Sequence, residues 1–206
     1  MALRTAVGVL VVFLWSVAVV LGKNVWSVTY TTQSICTLKG STVELTCSYT
    51  YPSGYTVTTT LWFTKIYNEE NYVSLLDDPD YKDRVKYLSN KTNGHTLTIT
   101  DLRESDSATY MFRFITDQTG GKYFGSPGVT LSVTDLQVKV TTTLLSMTLT
   151  CSTTCTLTDN PSYIWYRNSK IVQEDSSPSY SVYFKTEDSF YCAVNGINSP
   201  AVCECD

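Results

Sequence analysis

The sequence predicts an all-β chain of two tandem β-sandwiches, the second smaller than the first. Three observations carry this. Tyrosine, threonine and valine are abundant, a composition that favours strands over helices, and no segment has convincing helical periodicity or caps. The chain also echoes itself. "STVELTCSY" (41–49) returns as "LSMTLTCST" (145–153), and "TTLWFTK" (59–65) as "SYIWYRN" (162–168). Finally, each half has an alternating strand ending in cysteine, a turn-rich loop, and a strand carrying tryptophan. Cys47 precedes Trp62 by fifteen residues, and Cys151 precedes Trp165 by fourteen.

That spacing is the one expected between the second and third strands of an immunoglobulin sandwich. It predicts a variable-type domain over residues 23–134 and a smaller constant-type domain over 135–206.

Residues 1–22 stand apart. Arg4 is followed by an apolar run from Ala6 to Leu21, then Gly22 and the polar pair Lys23-Asn24. This reads as a secretory signal peptide; the alternative, an uncleaved anchor, needs a somewhat longer span of roughly 20 apolar residues. The expected location is extracellular: secreted as written, or at the cell surface if the chain is part of a longer receptor. Fifteen basic and nineteen acidic residues, with no basic block, argue against a nucleic-acid partner.

In the first domain, "HTLTITDL" (95–102) alternates with period two and leads into "ESDSATYMF" (104–112). "GVTLSV" (128–133) closes the domain and "DLQVKV" (135–140) opens the next. Arg84 and Asp106 occupy the positions of a structural ion pair at the base of a variable-type sandwich. In the second domain, Cys151 and Cys192 suit the inter-sheet disulfide, with Trp165 against it. Phe190 replaces the tyrosine usual at the corner of strand F. Asn195-Gly196 signals a hairpin, and the last strand is expected from Ser199 to Cys205.

Strand F of the first domain holds an anomaly. Tyr110 should be followed two residues later by cysteine, but the chain supplies Phe112 and then Arg113. Alternation puts Tyr110, Phe112 and Phe114 on the core face and Met111, Arg113 and Ile115 on the outer face.

The motif Y-x-F-R, the segment "GGKYFGSP" (120–127), a strand-B cysteine and a strand-F phenylalanine together resemble the first domain of siglecs, the sialic-acid-binding immunoglobulin-like lectins. "ICTLKGSTVELTC" and "DLRESDSATYMFRF" further resemble fish receptors related to the B-cell siglec. The resemblance runs from about Val25 to Cys203.

It implies that Arg113 binds the carboxylate of sialic acid, for which a planar guanidinium offers two parallel donors. It also implies aromatic contacts from strands A and G, for which Trp26 and Tyr123 are the candidates, with Lys122 beside the latter. The alternative for Trp26 is a tryptophan covering the sheet edge; for Arg113, an outward arginine without lectin activity. The implied site is shallow and wet, weak when monovalent and useful through clustering.

Siglecs move the disulfide off strand F by pairing the strand-B cysteine with one on strand E. Here the strand-E position holds His95, the only histidine. Cys47 is therefore a buried free thiol, or pairs with Cys36, or pairs with a cysteine outside the expected set. The family's link between its first two domains implies Cys36–Cys155 here. Seven cysteines leave at least one without an internal partner; Cys203 and Cys205, too close in sequence for an easy mutual bond, remain available to a following domain or another chain. Asn90 begins an N-x-T glycosylation sequon.

A lone histidine, and the absence of a nucleophile motif, carboxylate pair or phosphate loop, argue against an enzyme. No cofactor or metal is implied. The expected partners are sialylated glycoproteins or glycolipids. The alternatives are another protein engaging the front sheet of domain 1, and a soluble decoy.

Overall fold

The computed structural model describes residues 25–64, 72–90, 93–157, 160–183 and 188–203. The signal peptide expected at 1–22 lies outside them, and among the described residues no helix is long and apolar enough to cross a membrane. They form four sheets arranged as two β-sandwiches, without an α-helix.

The first sandwich contains β1 (Ser27–Tyr30), β2 (Ser34–Leu38), β3 (Val43–Thr50), β4 (Val57–Phe63), β5 (Val85–Ser89), β6 (Gly94–Ile99), β7 (Ala108–Thr116), β8 (Lys122–Phe124) and β9 (Val129–Thr134). Its back sheet runs β1-β3-β6-β5. The front sheet runs β2-β9-β7-β4, with β8 also paired to β7. Sequence alternation drives the packing: in β3, Val43, Leu45, Cys47 and Tyr49 are buried while the residues between them are not. They meet Tyr110, Phe112 and Phe114 of β7, each fully buried as the alternation requires. Phe112, in the absent cysteine's place, lies edge-on to its cross-strand partner Trp62 with ring centroids 5.5 Å apart.

The lower end of this domain is tied by polar groups. Arg84 makes a two-pronged bond to Asp106, with Nη1–Oδ2 at 2.7 Å and Nη2–Oδ1 at 2.8 Å. Burial alone would raise the Asp106 carboxyl, but hydrogen bonds from Arg84 and from the Arg103 N–H reverse this and hold it below the usual carboxylate range. The Tyr110 hydroxyl donates to the Asp106 carbonyl at 2.7 Å, closing the tyrosine corner.

The second sandwich contains β10 (Gln137–Thr142), β11 (Ser146–Ser152), β12 (Tyr163–Arg167), β13 (Lys170–Asp175), β14 (Ser179–Tyr183), β15 (Ser189–Val194), β16 (Ile197–Asn198) and β17 (Val202–Cys203). One sheet is β10-β11-β14; the other is β13-β12-β15-β16, with β17 also on β15. A disulfide joins Cys151 to Cys192 across them, and Trp165 is buried in the same core. Asn195 and Gly196 both take positive φ, as a tight hairpin demands.

The last strand differs from the continuous Ser199–Cys205 expected. Ser199 turns inward, its Oγ accepting from the Cys192 N–H at 3.0 Å, and Pro200 cannot donate to the ladder, so the strand splits into β16 and β17. Residues 204–206 lie outside the described set.

The two domains share a junction. Cys36 on β2 is bonded to Cys155, and Leu38, two residues later, is buried in the core of the second domain.

Candidate functional site

β7 is the middle of the front sheet, paired with β4 on one side and with β8 and β9 on the other. Its outer face therefore has neighbours at fixed positions. Arg113 stands directly opposite Leu61 on β4 and Phe124 on β8, and Ile115 stands opposite Lys122.

The β7–β8 hairpin is closed by the Thr116 N–H donating to the Gly121 carbonyl at 2.7 Å. Beyond Phe124 the edge is interrupted at Gly125-Ser126-Pro127, and Tyr30 from the back sheet fills the interruption. Its hydroxyl accepts from the Phe112 N–H at 2.9 Å and donates to the Gly125 carbonyl at 3.0 Å. Burial pushes the Tyr30 phenol up to about 12, so it remains a donor. Only glycine fits at 125, since a Cβ there would lie 2.6 Å from the Tyr30 hydroxyl oxygen.

Arg113 faces outward, as alternation requires, but it is not exposed: only 6% of its surface is accessible. The expectation of a shallow, wet cation is corrected by what lies over it. The guanidinium carbon sits 3.7 Å from the centroid of the Tyr72 ring. Tyr72 in turn meets Phe63 edge-on at 4.8 Å and Phe124 at 6.3 Å. Phe63 is fully buried although it lies on the outer face, whereas Phe124 is 41% exposed. Arg113 Nε has no hydrogen-bond partner, and among the described residues no carboxylate pairs with this guanidinium. The result is a buried cation with an aromatic wall and, among the described residues, no anion.

The other residues singled out in the sequence divide between the two faces. Lys122 is exposed on the Arg113 face, diagonal to it. Tyr123 is not on that face: it is the cross-strand partner of Phe114, and its ring lies 5.9 Å from that core residue. Trp26 likewise stacks on Phe114 at 5.6 Å and meets Tyr55 edge-on at 4.9 Å, closing the edge of the core. So Arg113, Lys122 and Phe124 come together, while Trp26 and Tyr123 gather on the opposite side of the sheet. The aromatic residues beside the arginine are Tyr72, Phe63 and Phe124, which sequence reasoning missed. Phe124 was within reach, because a hairpin closed at Thr116 and Gly121 sets it against Arg113. Tyr72 carried no such signal.

Cys47 stands directly opposite His95 in the β3–β6 register. With Cys36 bonded to Cys155, Cys47 is a free buried thiol, and burial raises its pKa. His95 fills the place of a partner sulfur with a ring 4.8 Å from Phe112 and 5.4 Å from Tyr49, and burial lowers its pKa. Cys203 is free and exposed, and Cys205 lies outside the described residues. Asn90 is exposed, with its Oδ1 accepting from the Gly94 N–H at 2.8 Å.

Residues 37–136 match the family model described as B-cell receptor CD22-like, first Ig-like. Among curated proteins the chain has no match.

Proposed function

Since the first domain belongs to the CD22-like family of first immunoglobulin-like domains, and CD22 is a siglec, we propose that this chain is a siglec-type receptor ectodomain that binds terminal sialic acid through Arg113. The supporting observation is the Arg113 guanidinium itself, buried on the front sheet without an anionic partner among the described residues. A buried charge lacking a counterion is unfavourable. A carboxylate would relieve it with two parallel, charge-assisted hydrogen bonds. Lys122 adds positive charge on the same face, and Phe124 offers an exposed apolar surface for the sugar.

The partners on this reading are sialylated glycoproteins or glycolipids met outside the cell, where the two disulfides persist. Asn90 is the proposed glycan attachment site.

The test is binding of clustered ectodomain to a sialylated surface, with and without sialidase, for the wild type, Arg113→Ala and Arg113→Lys. Sialidase and Arg113→Ala should each abolish binding, and lysine should restore little of it because it lacks the planar fork. Binding that survives both treatments refutes the reading. It would favour the second one, a protein-binding front sheet, for which the aromatic cluster of Tyr72, Phe63 and Phe124 is the supporting feature.

A further inference from the structure

We infer that Tyr72 is an internal competitor for the carboxylate site, a removable aromatic cover that must leave the Arg113 guanidinium before an anion can reach it. The inference rests on the assignment of Arg113 as the anion-binding residue. It concerns which other residue sets the strength of that binding.

The geometry is specific to one side chain. The Tyr72 ring lies on the guanidinium at 3.7 Å, and only 6% of the arginine is accessible. Leu61 and Phe124 stand beside Arg113 in the sheet, so they wall it laterally; Tyr72, a single bridge residue that belongs to none of the nine strands, lays its ring over it. A carboxylate needs to reach the guanidinium N–H groups in their own plane. Stacking covers the face and not that edge, but only 6% of Arg113 is accessible with the ring in place, so room for a two-pronged carboxylate requires the ring to shift.

The cover is also weakly fastened. A β-bridge anchors the Tyr72 backbone, but its hydroxyl makes no hydrogen bond to any described residue, and its ring is held by the guanidinium and by two ring contacts, to Phe63 and Phe124. Phe63 is fully buried and provides a fixed base, while half-exposed Phe124 can stay as the wall of the opened site. The attraction that Tyr72 offers is a cation–π contact, worth about 0.5–2 kcal/mol. A ligand must exceed it. Converted at about 1.4 kcal/mol per tenfold, losing the ring should strengthen carboxylate binding by roughly 2- to 30-fold.

Two measurements test this on the intact ectodomain. The first is independent of any ligand: the Arg113 Hε resonance in the wild type should be shifted upfield by the Tyr72 ring, and the shift should vanish in Tyr72→Leu and persist in Tyr72→Phe. The leucine keeps an apolar group against Phe63 where alanine would leave a gap. The second is titration by NMR with the methyl α-glycoside of sialic acid and, separately, with acetate. Tyr72→Leu should bind the sialoside 2- to 30-fold more tightly than the wild type, with Tyr72→Phe close to wild type.

If acetate perturbs Arg113 more in Tyr72→Leu than in the wild type while the sialoside binds neither, the cover stands and the sialic-acid reading falls. If the wild-type Hε shows no ring-current shift, or if Tyr72→Leu binds both probes no better than the wild type, the cover proposal is overturned whatever the lectin result. Weaker binding by the leucine variant overturns it too, and makes Tyr72 a clamp on the ligand.

Discussion

His95→Cys should install a bond that the first domain lacks. Cys47 and His95 face each other across β3 and β6, so a cysteine at 95 would stand opposite a buried thiol within one sheet. The bridge would close a loop of about 48 residues, and the chain-entropy relation then gives about 4 kcal/mol of stabilisation. Against this stands the loss of the His95 ring from its contacts with Phe112 and Tyr49, about 1 kcal/mol on the scale of aromatic pairs. The net gain of about 2–3 kcal/mol corresponds to a rise in Tm on the order of 10 °C for a domain of this size. The assay is thermal unfolding of wild type, His95→Cys and His95→Ala under oxidising conditions, with mass spectrometry of non-reduced peptides to detect the 47–95 bridge. The alanine variant isolates the lost ring. A folded His95→Cys protein whose two cysteines remain unbridged would refute the register. A bridged protein no more stable than wild type would refute the energetic reasoning, and would mean that the His95 packing is worth as much as the bond.

Other outcomes follow from the same contacts. Because burial lowers the His95 pKa, its neutral form contributes stability that is complete above about pH 6.5 and is lost as pH falls through the lower folded value. Urea midpoints at pH 7 and pH 5 should therefore diverge more for the wild type than for His95→Gln. Arg84→Ala strands the buried Asp106 carboxylate and should destabilise the domain by about 3–5 kcal/mol at neutral pH. The Asp106 pKa is depressed in the folded state, so the pair's contribution is complete above about pH 3.9 and disappears as pH falls through the lower folded value. Denaturation below pH 4 should thus show a smaller gap between the variant and wild type. Tyr30→Phe leaves the Phe112 N–H and the Gly125 carbonyl without their partner and should cost about 1–3 kcal/mol by chemical denaturation.

The sandwich was legible because its strands alternate cleanly: β3 and the core face of β7 can be read residue by residue, and that alternation sets Arg113 on the outer side. The site was less legible for two physical reasons. Tyr123 and Phe124 are adjacent, and in a strand one residue of register exchanges the faces. Choosing between them requires the hairpin's closing pair, Thr116 with Gly121, which alternation alone does not give. Tyr72 is harder still. It covers Arg113 from a single bridge residue that belongs to none of the nine strands, and no local pattern encodes such a contact. Similarly, the split between β16 and β17 depends on Ser199 finding the Cys192 N–H, though Pro200 in the sequence already argued against a continuous ladder.

These two levels of legibility correspond to two levels of restraint at Arg113. Its backbone is fixed by strands paired on both sides, by the Phe112–Trp62 contact beneath and by the Tyr30 hydroxyl at the adjoining peptide. Moving it means breaking ladder hydrogen bonds and core packing together, a change of many kcal/mol. Its cover is held by stacking worth about 0.5–2 kcal/mol. A perturbation of the core that leaves the domain folded, such as exchange at His95, should therefore change stability without changing the access of anions to Arg113. A substitution at Tyr72 should do the reverse. If His95→Cys raised Tm and also altered Arg113 accessibility in the NMR titration, the two levels would be coupled through Phe112, the one residue that touches His95 and precedes the arginine in the chain.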